Sequence, residues 1–311
     1  MTQYDTSGNI LAQDSFPQGN GKFVLYHQNK QKMIEANYVH GDFDGAYTTY
    51  HFDGSIESVQ YYKKGLKDSV YAAFYYGGIK SVEGSFKYGK KYGIWKNYDE
   101  EGRLSATTIY VDDQVNGIRK YFFPDGKTDM ESTYKDDLRD GMGTKYNAQG
   151  IIAYQVSNED DKVVSYSYLG ADGKFLPTIA VPADKGSLKS YFPNGKLSRQ
   201  CNYINGKVNG LDVLYYMNGQ ILSTDSASYG VNEGAWKEYY EDGKLRMDYN
   251  YLHDNLHGII KEFHKNGMLK KEMNFVNGLY NGLTKYYDDK GKLIKTMLYY
   301  YGKLISAINE K

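Results

Sequence analysis

The chain has 311 residues, with 38 Lys or Arg balanced by 38 Asp or Glu, six His and one Cys. Zero formal net charge leaves no basic footprint for nucleic acid and no polybasic membrane signal, and the lone Cys201 excludes a disulfide framework or a Cys-rich zinc site. No apolar run approaches the roughly 18 residues of a membrane-spanning helix.

The first residues, MTQYDTSGNIL, lack the basic start and apolar stretch of a leader. A cytoplasmic location is the default expectation, or a secreted or periplasmic one if a leader has been removed. From Gly8 onward a repeat is visible. Glycines stand 24 residues apart at 54, 78, 102, 126 and 150, and again at 195, 219, 243, 267 and 291. Lys30 fills the slot between Gly8 and Gly54, and Gly173 lies between the two series. The preceding residue is often Asp or Asn, as at Asp53, Asp125, Asn194 and Asp242. Asp-Gly and Asn-Gly between apolar runs are a strong hairpin signal, because these residues tolerate positive φ.

Eleven residues after each hairpin position comes a second turn, always Gly or Asp: for example Gly41, Gly65, Asp113, Asp137, Gly230 and Asp254. Two turns per 24 residues leave segments of about 7–8 residues, the length of ordinary strands. Aromatics recur four before the hairpin position (Tyr50, Tyr98, Tyr239) and eight after it (Tyr62, Tyr110, Tyr251), with Leu or Ile two after it. The positions between are mostly polar, which describes half-buried antiparallel strands. Helices do not fit segments interrupted by glycine every dozen residues. With 35 Tyr, 34 Gly and 5 Pro, the composition suits strands and turns and disfavours disorder.

The rhythm falters between Glu159 and Pro182, where Val164 replaces a turn glycine and two of the five prolines fall. The chain thus divides into an N-terminal repeat block (1–158), a degenerate repeat or bend (159–182) and a C-terminal repeat block (183–311). Residues 159–182 read either as a worn repeat that still pairs its strands, which is favoured, or as a built-in bend or docking irregularity.

Gly230-Val-Asn-Glu-Gly234-Ala-Trp236-Lys-Glu-Tyr239-Tyr-Glu-Asp242-Gly243-Lys-Leu245 resembles the bacterial variant of the MORN repeat, found in proteins grouped as YwqK-family antitoxins. The resemblance extends over nearly the whole chain. It implies an all-β, elongated array of consecutive antiparallel β-hairpins in a single twisted sheet, with a hydrophobic groove and no enclosed core. For function it implies a protein-interaction scaffold, with some such arrays associated with phospholipid.

The residues themselves offer little convergent chemistry. His27 and His51 are one repeat, about 10 Å, apart and cannot share a metal ion. His253 and His257 fall in a turn without the H-E-x-x-H glutamate. Cys201 has the parity of the apolar face and reads as a packed residue. No catalytic, cofactor or metal site is expected, and an enzyme is the least favoured class.

Two variable columns offer a partner-binding face. Seven before the hairpin glycine stand Tyr47, Tyr71, Trp95 and Trp236; three before it stand Tyr75, Phe123, Phe192, Tyr216 and Tyr240. Both columns have parity opposite to the tyrosines four before the glycine. They read equally as an open recognition face or as rings packed on cross-strand neighbours. The leading expectation is a non-catalytic scaffold for a protein partner, such as a toxin held by an antitoxin- or immunity-like array. The alternative is a carbohydrate or cell-wall array or an anionic-lipid binder. Exposed first and last strands would also allow a homodimer through sheet edges.

Overall fold

The computed structural model describes residues 2–310 and is all-β, with consecutive antiparallel hairpins and no α-helix among these residues. It falls into two compact units, one ending at Leu138 and the other beginning at Arg139.

In the first unit, Thr2–Tyr4 and Ile10–Gln13 form a small two-stranded sheet. The ladder proper starts at Gly21–Tyr26 and runs in chain order through Lys32–Val39, Asp42–Tyr50, Ile56–Lys63 and onward to Thr128–Lys135. Both turns of the repeat follow from backbone chemistry. At the hairpin glycine, Gly54 N–H donates to His51 O (2.9 Å) and His51 N–H to Ser55 O (2.8 Å), with Gly54 at φ +85°. This is a turn closed by a left-handed residue, with a bulge between Thr49 and Tyr50. Lys30 makes the same turn at φ +67° without being glycine, and its N–H donates to His27 O (2.9 Å).

The second turn has two residues, both at positive φ: His40 and Gly41 (+53°, +90°), or Asp112 and Asp113 (+52°, +73°). That mirror-image geometry matches the twist of the flanking strands. The Gly-or-Asp restriction has a further cause where Asp is present. The turn amide of Asp113 donates to Lys91 O, one repeat back, while its carboxylate accepts the Lys91 N–H at 2.7 Å. Asp137 does the same to Val115, with 3.0 Å and 2.7 Å bonds.

The glycine four residues after the second turn lies directly across from the aromatic eight after the hairpin glycine. Gly45 faces Tyr62, Gly93 faces Tyr110, and Gly117 faces Tyr134. All three glycines stand at positive φ (+91°, +74° and +120°), which restricts the residue type there.

The second unit corrects two expectations. Residues 159–182 still pair strands, as a worn repeat would, but they end one ladder and a second sheet begins after them. Lys162–Ser167 pairs with Ile152–Glu159, and Ile179–Ala180 folds back onto Ser165 and Tyr166. A new sheet then starts at Lys185–Tyr191 and continues to Lys303–Asn309. An enclosed core also exists here. Val163, Tyr166, Val181, Leu188, Cys201 and Tyr203 form one buried cluster, in which Leu188 and Tyr203 are 0% exposed. Ala153, Tyr154 and Phe192 form another. The two sheets of this unit are tied by Ser198 Oγ donating to Ala153 O (2.8 Å) and Val163 N–H donating to Gly206 O (2.8 Å). One sheet buries one face only when a second layer covers it, and the interruption supplies that layer.

Candidate functional site

The two aromatic columns part company in the structure. Residues three before the hairpin glycine sit beyond the strand end, inside the turn, and those with a polar-tipped ring bridge repeats. Tyr75 donates its hydroxyl to Tyr98 O (2.8 Å), Tyr216 to Tyr239 O (2.7 Å) and Tyr240 to Phe263 O (2.7 Å). His27, His51 and His264 do the same through Nε2 to Tyr50, Phe74 and Tyr287 carbonyls, at 2.9, 3.0 and 3.1 Å. Where the position is acidic, as at Asp99, the carboxylate instead accepts N–H groups of its own turn, from Glu101 and Arg103. Phe123 is half-buried, and Phe192 is 2% exposed against Ala153 and Tyr154. Their place is the turn row, not the strand face that parity assigned to them.

The column seven before the glycine does line a strand face, the one shared with the aromatics eight after it. Tyr47 lies against Tyr62 (5.5 Å between centroids), Tyr71 against Phe86 (5.8 Å), and Trp95 against Phe86 and Tyr110 (5.1 and 6.0 Å). Tyr71 and Trp95 stack on each other at 5.5 Å and 29°. In the second unit Trp236 stacks on Tyr249 (5.5 Å, 19°), and no partner for its Nε1 is present among the described residues.

In the first unit this face forms a groove of about 560 Å³, lined by Tyr47, Tyr71, Trp95, Phe86 and Tyr110, with Lys67, Lys91 and Arg119 among them. Its central row crosses the sheet one strand at a time. Gln60 pairs with Tyr47 on one side and Tyr71 on the other, Gly84 pairs with Tyr71, and Thr108 pairs with Trp95 and Arg119. Gly84 is needed there, because a Cβ at that position would sit 2.3 Å from the Trp95 indole. A parallel row of Thr49, Ser58, Val82 and Asn97 forms a polar flank, with Thr49 Oγ1 and Ser58 Oγ bonded at 2.8 Å.

The lysines stand over ring faces: Lys67 over Phe86 (4.9 Å), Lys91 over Trp95 and Tyr110 (4.7 and 4.9 Å). Burial raises the Tyr71 phenol above its ordinary range, helped by the Glu57 charge; burial does the same to Tyr47, helped by Tyr62 and Tyr38. The opposite face is laced by ion pairs. Glu83 is held by Lys80 (2.7 Å) and Lys96 (3.0 Å), which with Tyr98 lower its pKa to about 2. The same face carries an exposed aliphatic column, Val70, Ile94 and Ile118, eight before the hairpin glycine. Sequence reading passed over that column, although its spacing of 24 was available.

The second unit holds a different polar cluster. Arg199 donates Nε (2.9 Å) and Nη2 (2.5 Å) to Asp212, which lies directly across from Asp225. Burial raises the Asp225 pKa to about 7, with Asp212 repelling its charge and Arg199 opposing. Burial likewise pushes the Cys201 thiol up to about 11. Among the described residues no group of three His, Cys, Asp or Glu is placed to hold a metal ion.

A family model described as the MORN repeat variant matches residues 43–64, 115–136, 185–205, 232–253 and 256–277. Each match is one strand–turn–strand hairpin; the first, for example, spans Asp42–Tyr50 and Ile56–Lys63. None of the curated proteins matches. Two solved structures are similar. A crystal structure of TcdB2-TccC3-Cdc42 is 11% identical, covers 99% of this chain and 20% of that chain, and has a TM-score of 0.18. One of TcdB2-TccC3-TEV is 12% identical, covers 89% and 15%, and also has a TM-score of 0.18. The chain spans a fifth or less of those proteins, and likeness at that level carries no argument about fold or function. The five family matches, set on the observed hairpins, support a protein built on MORN-type repeats, a class of repeat scaffold for binding.

Proposed function

We propose that the chain is a non-catalytic scaffold that holds a protein partner along the groove of the first unit, in the manner of an antitoxin or immunity protein. The observation that carries this reading is the single row of Tyr47, Tyr71 and Trp95 with cations set among the rings. Clustered Tyr and Trp with an Arg beside them suit protein recognition. A carbohydrate array would use free ring faces, whereas Tyr71 and Trp95 already cover one another.

The test is a photo-crosslinking residue placed at Tyr71, compared with the same residue at Ile94 on the opposite face. A protein adduct from Tyr71 alone supports the reading. Equal adducts from both faces, or none, overturn it.

A further inference from the structure

Where the two sheets of the second unit meet, they leave a polar cavity of about 150 Å³. A molecule the size of benzene fits such a volume. Arg139 and Asp161 line it from the ladder that ends at the interruption, and Arg199, Lys207, Asp212 and Asp225 line it from the new sheet and its turn.

These six charges are balanced in number but sorted in space. At one end a single carboxylate, Asp161, serves two cations, Arg139 at 3.4 Å and Lys207 at 3.9 Å. At the other end a single guanidinium, Arg199, stands with two carboxylates. Asp212 takes its hydrogen bonds, and Asp225, directly across from Asp212, has no hydrogen-bond or ion-pair partner among the described residues. The first end has a cation in excess and the second an anion in excess. The side chains of Arg139 and Lys207 are 43% and 33% exposed, whereas Arg199 and Asp212 are buried. The excess cation is therefore at the mouth and the excess anion at the floor.

A buried donor in the same cavity is also unmet. Tyr203 is 0% exposed, and its hydroxyl has only the weak Cys201 thiol beside it and no hydrogen-bond partner among the described residues. Native structures rarely leave such a group empty. A simple cation would answer Asp225 and leave the mouth unmatched. A simple anion would be repelled by the two carboxylates at the floor. A small molecule carrying both charges matches both ends.

We infer that this cavity binds a small amino-acid zwitterion, with its ammonium group on Asp225 and its carboxylate on Lys207 and Arg139. The site lies outside the groove of the first unit and stands independently of the protein-partner reading.

Binding should be coupled to pH. The groups that sense the Asp225 charge are Asp212, Arg199, Cys201 and Tyr249, with Arg139, Asp161 and Lys207 at the mouth. Burial raises the Cys201 thiol and the Tyr249 phenol, so neither loses its proton near neutrality. Asp225 titrates at about 7, and an ammonium group beside it favours the ionised carboxylate. Binding at about pH 5.5 must release that proton and is expected to be about thirtyfold weaker than at about pH 8.

The test is calorimetric titration of the full chain with alanine, β-alanine and γ-aminobutyrate, zwitterions of increasing charge separation. Propylamine and propanoate, with one charge each, are the controls. At least one zwitterion is expected to bind about tenfold more tightly than either control. Asp225→Asn should abolish binding, and Lys207→Gln should remove the preference over propylamine, both with unchanged circular dichroism. Should Asp225→Asn fail to fold, Lys207→Gln at the exposed mouth still decides. Either control binding as tightly as the best zwitterion, an unaltered affinity in either folded variant, an affinity indifferent to pH, or no binding of any zwitterion at about 10 mM would overturn the inference.

Discussion

The two units use one repeat to opposite ends. In the first unit the column seven before the hairpin glycine is Tyr47, Tyr71, Trp95 and Arg119, and it lines a groove in which only Trp95, 5% exposed, is buried. In the second unit the same column is Gly143, Tyr166, Leu188, Asp212, Trp236, Ile260 and Thr284, of which all but Trp236 are buried. A column that varies along a repeat is therefore not by itself a recognition surface. In one unit it varies around an open groove, and in the other it varies to fill space under a second sheet or between flanking rings.

The largest expected difference follows from burial. Leu188→Ala should lower stability by about 2–5 kcal/mol, because a fully enclosed side chain leaves a cavity. Tyr71→Ala, partly buried on the groove, should cost about 1–2 kcal/mol. Urea unfolding followed by circular dichroism measures both, and equal losses would erase the distinction between the units. Within the groove, Gly84→Ala drives a methyl into the Trp95 indole. An overpacking cost of about 1–3 kcal/mol is expected. In a Trp236→Phe background the emission should shift to the red, and an unshifted spectrum would mean that Gly84 is not what seats the ring.

The units should also respond oppositely to pH. Asp225 has a folded pKa of about 7 against 3.8 for the free group, so the folded state binds the extra proton. Its contribution is fully present below about pH 4 and is lost as pH rises toward 7. Glu35 and Glu83 have folded values of about 2 against 4.5, held down by Lys22 and Lys80 first. Their contribution is present above 4.5 and is lost as pH falls toward 2. Thermal melts at about pH 5 and about pH 8 should show the second unit weakening at the higher pH, and Asp225→Asn should flatten that slope. A variant with an unchanged slope would assign the effect elsewhere.

The smallest effect belongs to the turn row. Tyr216→Phe and Tyr240→Phe each remove one bond to a carbonyl of the next repeat, worth about 0.5–1.5 kcal/mol by urea unfolding. No loss at either site would make these rings packing residues only.

What could be read from the sequence was whatever leaves a mark on residue type. Gly54 and its equivalents, and the Gly-or-Asp second turn, are legible because positive φ restricts the choice. The bridging role of His27, Tyr75 and Tyr216 was not, because the partner is a main-chain carbonyl 23 residues away, which any residue can supply. Parity alone also failed for this row, since the bulge before each turn shifts the alternation. The buried core was hidden for another reason. Leu188, Cys201 and Tyr203 are ordinary members of their columns, and only the sheet that returns over them makes them a core. Of the nine rings nominated for binding, Tyr47, Tyr71 and Trp95 come together in one groove, while Gln60 and the lysines beside them carry no distinguishing pattern in a single chain.

The carboxylate latch of the second turn has a consequence for length. Asp113 grips the Lys91 amide and Asp137 grips that of Val115, so these two seams offer the same fittings. Removing residues 113–136 would bring Asp137 to Lys91 in place of Asp113, taking out two strands and leaving each remaining joint chemically intact. A chain made this way can gain or lose whole modules without redesign, and the reach of its groove becomes a quantity that duplication or excision can set.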